Sequence, residues 1–232
     1  RGYIAVSEAV RDRLAELRIS GDRIKVVYSA TDMARFDPDS PQPLARPLPF
    51  SSSTPFALLI GNYHRNKGHP LLIEAFAVMA TRWPELHLVF AGNGTDSPSV
   101  AERIRQTGLQ DRIHGLGFRA DIPGLVSRAS FTVNASYEEG FAGSIRESLA
   151  MGVPVIVSDI PANREVASRV PLSFFQAGDR SSLAAALLAQ RDQPIGAEHR
   201  RRLRDLIQAD FSVPSMVQKT LDAYHALGVK AA

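Results

Sequence analysis

Two carboxylates, Glu139 and Glu147, stand eight residues apart in "ASYEEGFAGSIRESLAMGVPVIVSD". An ionised carboxylate offers two acceptor oxygens, which suits a vicinal diol donating one hydrogen bond to each. Between them lies a turn in which Gly140 and Gly143 let a ligand come close to the backbone. The helix that follows leaves its first amide N–H groups unpaired around Ala142 to Ile145. With the macrodipole, roughly half a positive charge, these amides make an anion site. An anion flanked by two diol holders has the pattern of ribose, pyrophosphate and sugar, that is, a nucleotide sugar. A lone glutamate here would ordinarily cap or solvate a helix. Glu147, however, sits beside Leu149, Ala150 and an apolar strand, where an unpaired charge is costly.

A second loop, "GNYHRNKGH" from Gly61 to His69, follows the apolar run "FALLIG". Its glycines permit a tight turn, and Arg65 and Lys67 project from it. Arg presents phosphate with a planar fork and Lys with a point charge. The spacing is not that of a P-loop, and His64 and His69 lack a third ligand for a metal. A third loop, "FAGNGTDS" from Phe90 to Ser97, has the first glycines of a dinucleotide fingerprint. Ser97 occupies the third position, and no acidic residue ends the next strand as a ribose partner. It reads as a tight turn between strand and helix.

These loops need strands and helices to hold them. Continuous apolar runs at "FALLIG", "LHLVFAG", "RIHGLGF", "FTVNAS", "VPVIVSD" and "PLSFF" predict strands buried on both faces. Helical stretches alternate with them. Ser97 with Pro98, Asp179, and Ser212 read as helix starts, and Val217, Leu221 and Tyr224 share a face of the closing helix. The pattern predicts a doubly wound, mostly parallel Rossmann-like α/β sheet, with ligands beyond the carboxyl ends of its strands. Before it, six of the 15 prolines fall from Pro38 to Pro55, which excludes helix and central strand there. The organisation is therefore residues 1–36 as the tail of another α/β domain, 37–55 as a linker, and 56–232 as the nucleotide-binding domain. Residues 1–36 hold only "YIAVS", a helix near "EAVRDRLAEL", and "RIKVVYS", too little to bury their own apolar faces. With no Met at Arg1, a piece of a longer protein is expected.

Composition narrows the classes further. The 232 residues contain no cysteine, which excludes disulfides and thiolate chemistry. Net charge is +3, and no zinc-finger, recognition-helix or aromatic RNA-binding pattern accompanies it, so nucleic acid is not expected. No apolar run approaches the roughly 20 residues that span a bilayer. The basic run "EHRRRLRD" predicts a solvated helix face, with peripheral contact to an anionic membrane as the other reading.

Together these segments resemble the retaining glycosyltransferases of family 4, which have the two-domain GT-B fold. "VSEAVRDRL" and "RIKVVYSATDMARF" resemble the end of that family's acceptor-binding domain. "GNYHRNKGH" resembles its G-R-x(4)-K-G loop, and "YEEGFAGSIRESLAMGVPVIVSD" its E-x(7)-E motif and following strand. The resemblance implies that Glu147 holds the donor's ribose and Glu139 the transferred sugar. It gives the backbone of Gly140, Phe141 and Ala142 to the sugar–phosphate junction, Lys67 to the pyrophosphate, and Phe118 and Arg119 to the base. Asn62 stands where the family has Arg, so either Arg65 supplies that charge or leaving-group stabilisation is weaker here; Ser29-Ala30 replaces the family's Asn-Gly. No metal or other cofactor is implied. The expected partners are a nucleotide sugar and, through the other domain, a glycan or lipid-linked acceptor, in the cytoplasm or at the inner face of the membrane. The rival expectations are a nucleotide-binding domain with no activity of its own and another GT-B enzyme, such as a phosphorylase or epimerase.

Overall fold

The computed structural model describes residues 2–40, 42–193 and 196–228, so linker residue Pro41 and residues 194–195 and 229–232 of the larger unit lie outside it. A small first part contains β1 (Tyr3–Ala5), α1 (Glu8–Glu16) and β2 (Ile24–Val26), its strands paired in parallel. Residues 37–55 have neither helix nor strand among those described, as their prolines dictate.

The main unit alternates strand and helix: β3 (Phe56–Ile60), α2 (His69–Met79), β4 (His87–Ala91), α3 (Pro98–Arg105), β5 (Ile113–Gly115), α4 (Ile122–Arg128), β6 (Phe131–Asn134), α5 (Gly143–Ala150), β7 (Val155–Ser158), α6 (Pro161–Ala167), β8 (Ser173–Phe175) and α7 (Arg180–Arg191). Two further helices close it, α8 (Ala197–Phe211) and α9 (Val213–Ala226). The sheet order is β5-β4-β3-β6-β7-β8, and all its pairings are parallel. Numbered within this unit, that is 3-2-1-4-5-6, the doubly wound order whose switch point falls between the first and fourth strands. Here those strands are β3 and β6.

Continuous apolarity does what burial on both faces requires. Along β3, Ala57 and Leu59 enter one core with Ile73, Phe76, Phe90 and Leu187. Phe56 and Leu58 enter the other, with Val89, Ile145, Leu149 and Phe211. The helix starts are less uniform. Asp179 caps α7 by accepting from Ser181 N and Ser182 N at 2.8 and 2.9 Å. Ser97 and Ser212 stand at the start of α3 and α9 without a side-chain cap; in both, Pro supplies the preset φ of the first turn. The shared face of Val217, Leu221 and Tyr224 is exposed, while Ala223 is the buried residue of α9. The basic run lies on α8, where Leu203 is buried and Arg204 is drawn inward to the carbonyls of Phe36 (2.6 Å) and Ala150 (2.9 Å). Among the described residues no helix is long and apolar enough to cross a membrane.

The linker is stitched down by an aromatic cluster. His87 Nδ1 and His114 Nε2 lie 3.0 Å apart across β4 and β5, and Phe50 packs on both rings at 4.6 and 5.1 Å. One ring must donate and the other accept, so at least one must be neutral, and the bond is lost when both are protonated. Burial lowers both pKa values, that of His114 to about 4, and burial likewise takes His69 to about 4. Unfolded histidines titrate near 6.5, so as pH falls the unfolded chain binds these protons first. Stability is therefore expected to be full above about pH 6.5 and to fall steadily towards pH 4. Thermal melts from pH 7.5 to 4 check this, and His114→Phe should flatten part of the slope; a pH-independent melting temperature would refute it.

Candidate functional site

The site forms where the loops after β3 and β6 meet at the switch point. After β3 the chain makes a 3-10 turn over Arg65–Lys67, with His64 Nδ1 accepting from Asn66 N at 3.2 Å. Gly68 then takes the left-handed conformation, φ 68°, and launches α2. A Cβ there would stand 2.1 Å from the carbonyl oxygen of Ala135, so only glycine lets the two loops close on each other. They are tied directly as well: Tyr137 N donates to Asn66 O at 2.9 Å, and Asn66 Nδ2 to Glu138 O at 2.7 Å.

This closure brings Lys67 onto Glu139, with Nζ and Oε1 2.6 Å apart. The same Oε1 accepts from Ser136 Oγ at 2.7 Å and from Asn134 Nδ2 at 3.3 Å. Three donors on one oxygen fix the carboxylate's orientation, and the Glu139 side chain is only 10% exposed. Among the described residues Oε2 has no hydrogen-bond partner. The two sequence candidates are thus together, but joined to each other.

The turn beyond Glu139 is clamped from the first part of the chain. Ser7 Oγ donates to Gly140 O at 2.6 Å while accepting from Val10 N, the N-cap bond of α1. Glu165 on α6 accepts from Glu8 N at 2.6 Å and Ala9 N at 3.3 Å, adding a second cap. Between α1 and the turn runs a cleft of about 650 Å³, lined by Val10, Arg13, Asn66, Glu139, Gly140 and Pro161 among others. A neighbouring cleft of about 770 Å³ contains Arg65, His64, Tyr137 and Glu138.

Phe141 stacks on Tyr28 with centroids 5.1 Å apart. Ala142 precedes α5 with no side-chain cap, so its side chain does not satisfy the first amides of that helix. Glu147 is half-buried on α5, and its Oε1 reaches back to 3.8 Å from the point where a Cβ on Gly143 would stand. Burial raises its pKa, opposed by the charges of Arg146 and Arg35. Glu147 thus reaches back to the first turn of α5, and Glu139 lies in the turn that leads into it.

Residues 54–191 match the family model described as "Glycosyl transferases group 1". The chain belongs to that family. A GDP-mannose:cellobiosyl-diphosphopolyprenol alpha-mannosyltransferase of Xanthomonas campestris is 25% identical over 232 residues, covering 96% of this chain and 58% of the relative. A glycosyltransferase from Rickettsia africae ESF-5 superposes with TM-score 0.84 at 24% identity, over 99% of this chain and 64% of that one. Anabaena Alr3699/HepE, solved with UDP and glucose, gives 0.81 at 21% identity, over 97% and 63%. The fold is thus that of the GT-B glycosyltransferases, and the chain spans about 60% of the length of these proteins.

Within this group 1 family member, not every sequence candidate points into the cleft. Arg119 is buried, with Nε and Nη2 on Asp121 at 2.7 and 2.5 Å and Nη2 also on Arg46 O at 2.9 Å. That pair holds the Asp121 pKa down to about 2. Arg119 therefore pins the linker, three of its N–H donors engaged inside the protein, while Phe118 is exposed. Asn62 accepts from Asn93 N at 2.9 Å and joins the loops after β3 and β4. The glycines of that second loop pack as a tight turn: a Cβ on Gly92 would lie 2.2 Å from Gly61 O. Sequence reasoning passed over Ser136 and Asn134, although polar residues ending a buried strand were a visible signal. It also passed over Arg146 and Arg35, for which spacing carries no signal.

Proposed function

We propose that this chain is the donor-binding part of a retaining glycosyltransferase that moves a sugar from a nucleotide sugar to an acceptor hydroxyl, in the synthesis of a polysaccharide, lipopolysaccharide or glycolipid. The single observation that carries the reading is the Lys67–Glu139 pair at the switch point, in the turn that leads into the uncapped α5. Lys67 is partly exposed, and a diphosphate carries more negative charge than the single carboxylate that Lys67 faces. A diphosphate can therefore draw Lys67 away and leave Glu139 to accept the sugar's hydroxyls, while Glu147 accepts those of the ribose. Support comes from relatives as well: the Anabaena protein was solved with UDP and with UDP-glucose, and the Xanthomonas enzyme is named for GDP-mannose and a polyprenol-linked acceptor.

In the reaction, the bond between the sugar's anomeric carbon and the diphosphate oxygen breaks, and a bond from that carbon to the acceptor oxygen forms on the same face. The hydroxyl proton leaves with the departing phosphate. Negative charge grows on the diphosphate, where Lys67, Arg65 and the N-terminus of α5 stand, so no metal is needed to receive it. The acceptor belongs to the other domain, and a lipid-linked one would place the enzyme at the cytoplasmic face of the membrane. By itself this chain is expected to bind donor without transferring sugar.

Binding the folded state alone raises stability by mass action, about 2.7 kcal/mol at a ligand concentration of 100 Kd. At roughly 2–4 °C per kcal/mol for a chain of this size, one of UDP, GDP or ADP should raise the melting temperature by several degrees. No shift with any of them at millimolar concentration would defeat the reading.

A further inference from the structure

Arg146 precedes Glu147 on α5 and is only 4% exposed. Its guanidinium lies 4.4 Å from the centroid of the Phe141 ring. Nη2 is 3.9 Å from the point where a Cβ on Gly143 would stand, the same point that Glu147 Oε1 approaches. Helical side chains lean towards the N-terminus, so Arg146 and Glu147 both reach back over the first turn of α5 and straddle Gly143. Among the described residues neither Nε nor Nη1 of Arg146 has a hydrogen-bond partner.

Such an arrangement is costly without a ligand. A buried guanidinium with two idle donors loses its hydration, and the positive end of α5 adds repulsion. Burial lowers its pKa to about 10, with the Glu147 charge acting in the opposite direction, so it stays cationic at neutral pH. The Phe141 ring offsets part of that cost. If the position served only packing, a Leu or Met would fill it more cheaply. A cation retained beneath an uncapped helix start is what a multiply charged anion would require.

We propose that Arg146 is the buried cation of the donor cradle: held by Phe141 under the turn of residues 140–143, it adds a second positive charge to that of Lys67 and makes the turn favour a diphosphate over a neutral group. The proposal rests on the nucleotide-sugar reading of the cleft. Arg146 acts through the turn and the field at its amides, and is a positioning residue.

The test is calorimetric titration of the chain with inorganic pyrophosphate, with the nucleoside diphosphate giving the largest melting shift, and with the corresponding nucleoside. Arg146→Met keeps length and contact with Phe141 but removes the charge. It should lose at least tenfold in affinity for both phosphate ligands and leave the nucleoside unchanged. Its phosphate binding should depend less on salt, and without ligand it should melt at the wild-type temperature or above. Arg146→Lys should restore most of the affinity. Wild-type pyrophosphate affinity in Arg146→Met would overturn the proposal, as would equal losses for nucleoside and diphosphate, the sign of a merely structural role. Should Arg146→Met not fold, Arg146→Gln against Arg146→Lys decides the same question. Wild-type binding of pyrophosphate but of no nucleotide would remove the nucleotide-sugar reading and leave the role of Arg146 standing. Binding of neither would remove both.

Discussion

Lys67→Ala, made in the longer protein that carries the acceptor-side half, is expected to lower kcat by about 10²-fold while the donor's KM changes several-fold at most. The reason lies in when the charge is needed. On the proposed reading the amides of α5 and Arg65 share the hold on the bound diphosphate, and Lys67, which stands 2.6 Å from Glu139 in the structure, has turned to it. As the glycosidic bond breaks, the leaving oxygen gains negative charge and the sugar ring, beside Glu139, gains positive charge. The two partners then each have a better counter-charge than one another. A preorganised donor of this kind contributes about 3 kcal/mol, which corresponds to two orders of magnitude in rate. A contact strengthened only in the transition state appears in kcat, whereas uniform binding appears in KM. Steady-state kinetics separate the two, and a kcat within twofold of wild type would take Lys67 out of the chemistry.

Gly68→Ala should be among the damaging small substitutions at the described glycines. Gly68 has φ 68°, which costs a residue with a Cβ about 1 kcal/mol or more. The added Cβ would also stand 2.1 Å from Ala135 O and 2.9 Å from its carbonyl carbon. Backbone cannot rotate away as a side chain can, so the loops after β3 and β6 must separate, adding about 2 kcal/mol of overpacking. The expected total of about 3 kcal/mol lowers the melting temperature by roughly 6–12 °C. Gly108 supplies the control, with φ 72° but nothing within 4 Å of its would-be Cβ. Gly108→Ala should cost about 1 kcal/mol, from strain alone. Equal melting temperatures for the two variants would mean that the loop contact at Gly68 carries no stability. Because Lys67 is its neighbour, Gly68→Ala should also weaken any nucleoside diphosphate binding at temperatures where it remains folded.

The strands and their class were legible because burial on both faces leaves a one-dimensional trace: "FALLIG" and "FTVNAS" are unbroken apolar runs, and β3 and β6 lie there. The acidic pair and the basic loop were legible for a related reason, since small residues and glycines bunch wherever backbone approaches backbone or ligand. Arg119 was placed with the base but proved to be an internal clip. From the sequence, a buried arginine and a ligand-facing one look alike, and only Asp121 and Arg46 O at hydrogen-bond distance distinguish them. Arg146 went unnoticed because an arginine beside a glutamate on a helix reads as a surface pair, and nothing local shows that it is buried against Phe141. The face shared by Val217, Leu221 and Tyr224 has helical spacing, yet spacing cannot tell an inward face from an outward one on a helix that packs at the end of the unit.

By itself, then, the sequence determined the alternation of strands and helices, the proline-rich division between two parts, and the residue types able to hold a diphosphate and two diols. All of these are encoded locally, in φ preferences, apolar runs and side-chain chemistry. Tertiary structure decided which of those residues meet. The strand order puts β3 beside β6, although the loops that follow them are about 70 residues apart in the chain, and that pairing alone sets Lys67 on Glu139. Contact across a sheet is a property of how strands are ordered in space, and no local pattern carries it.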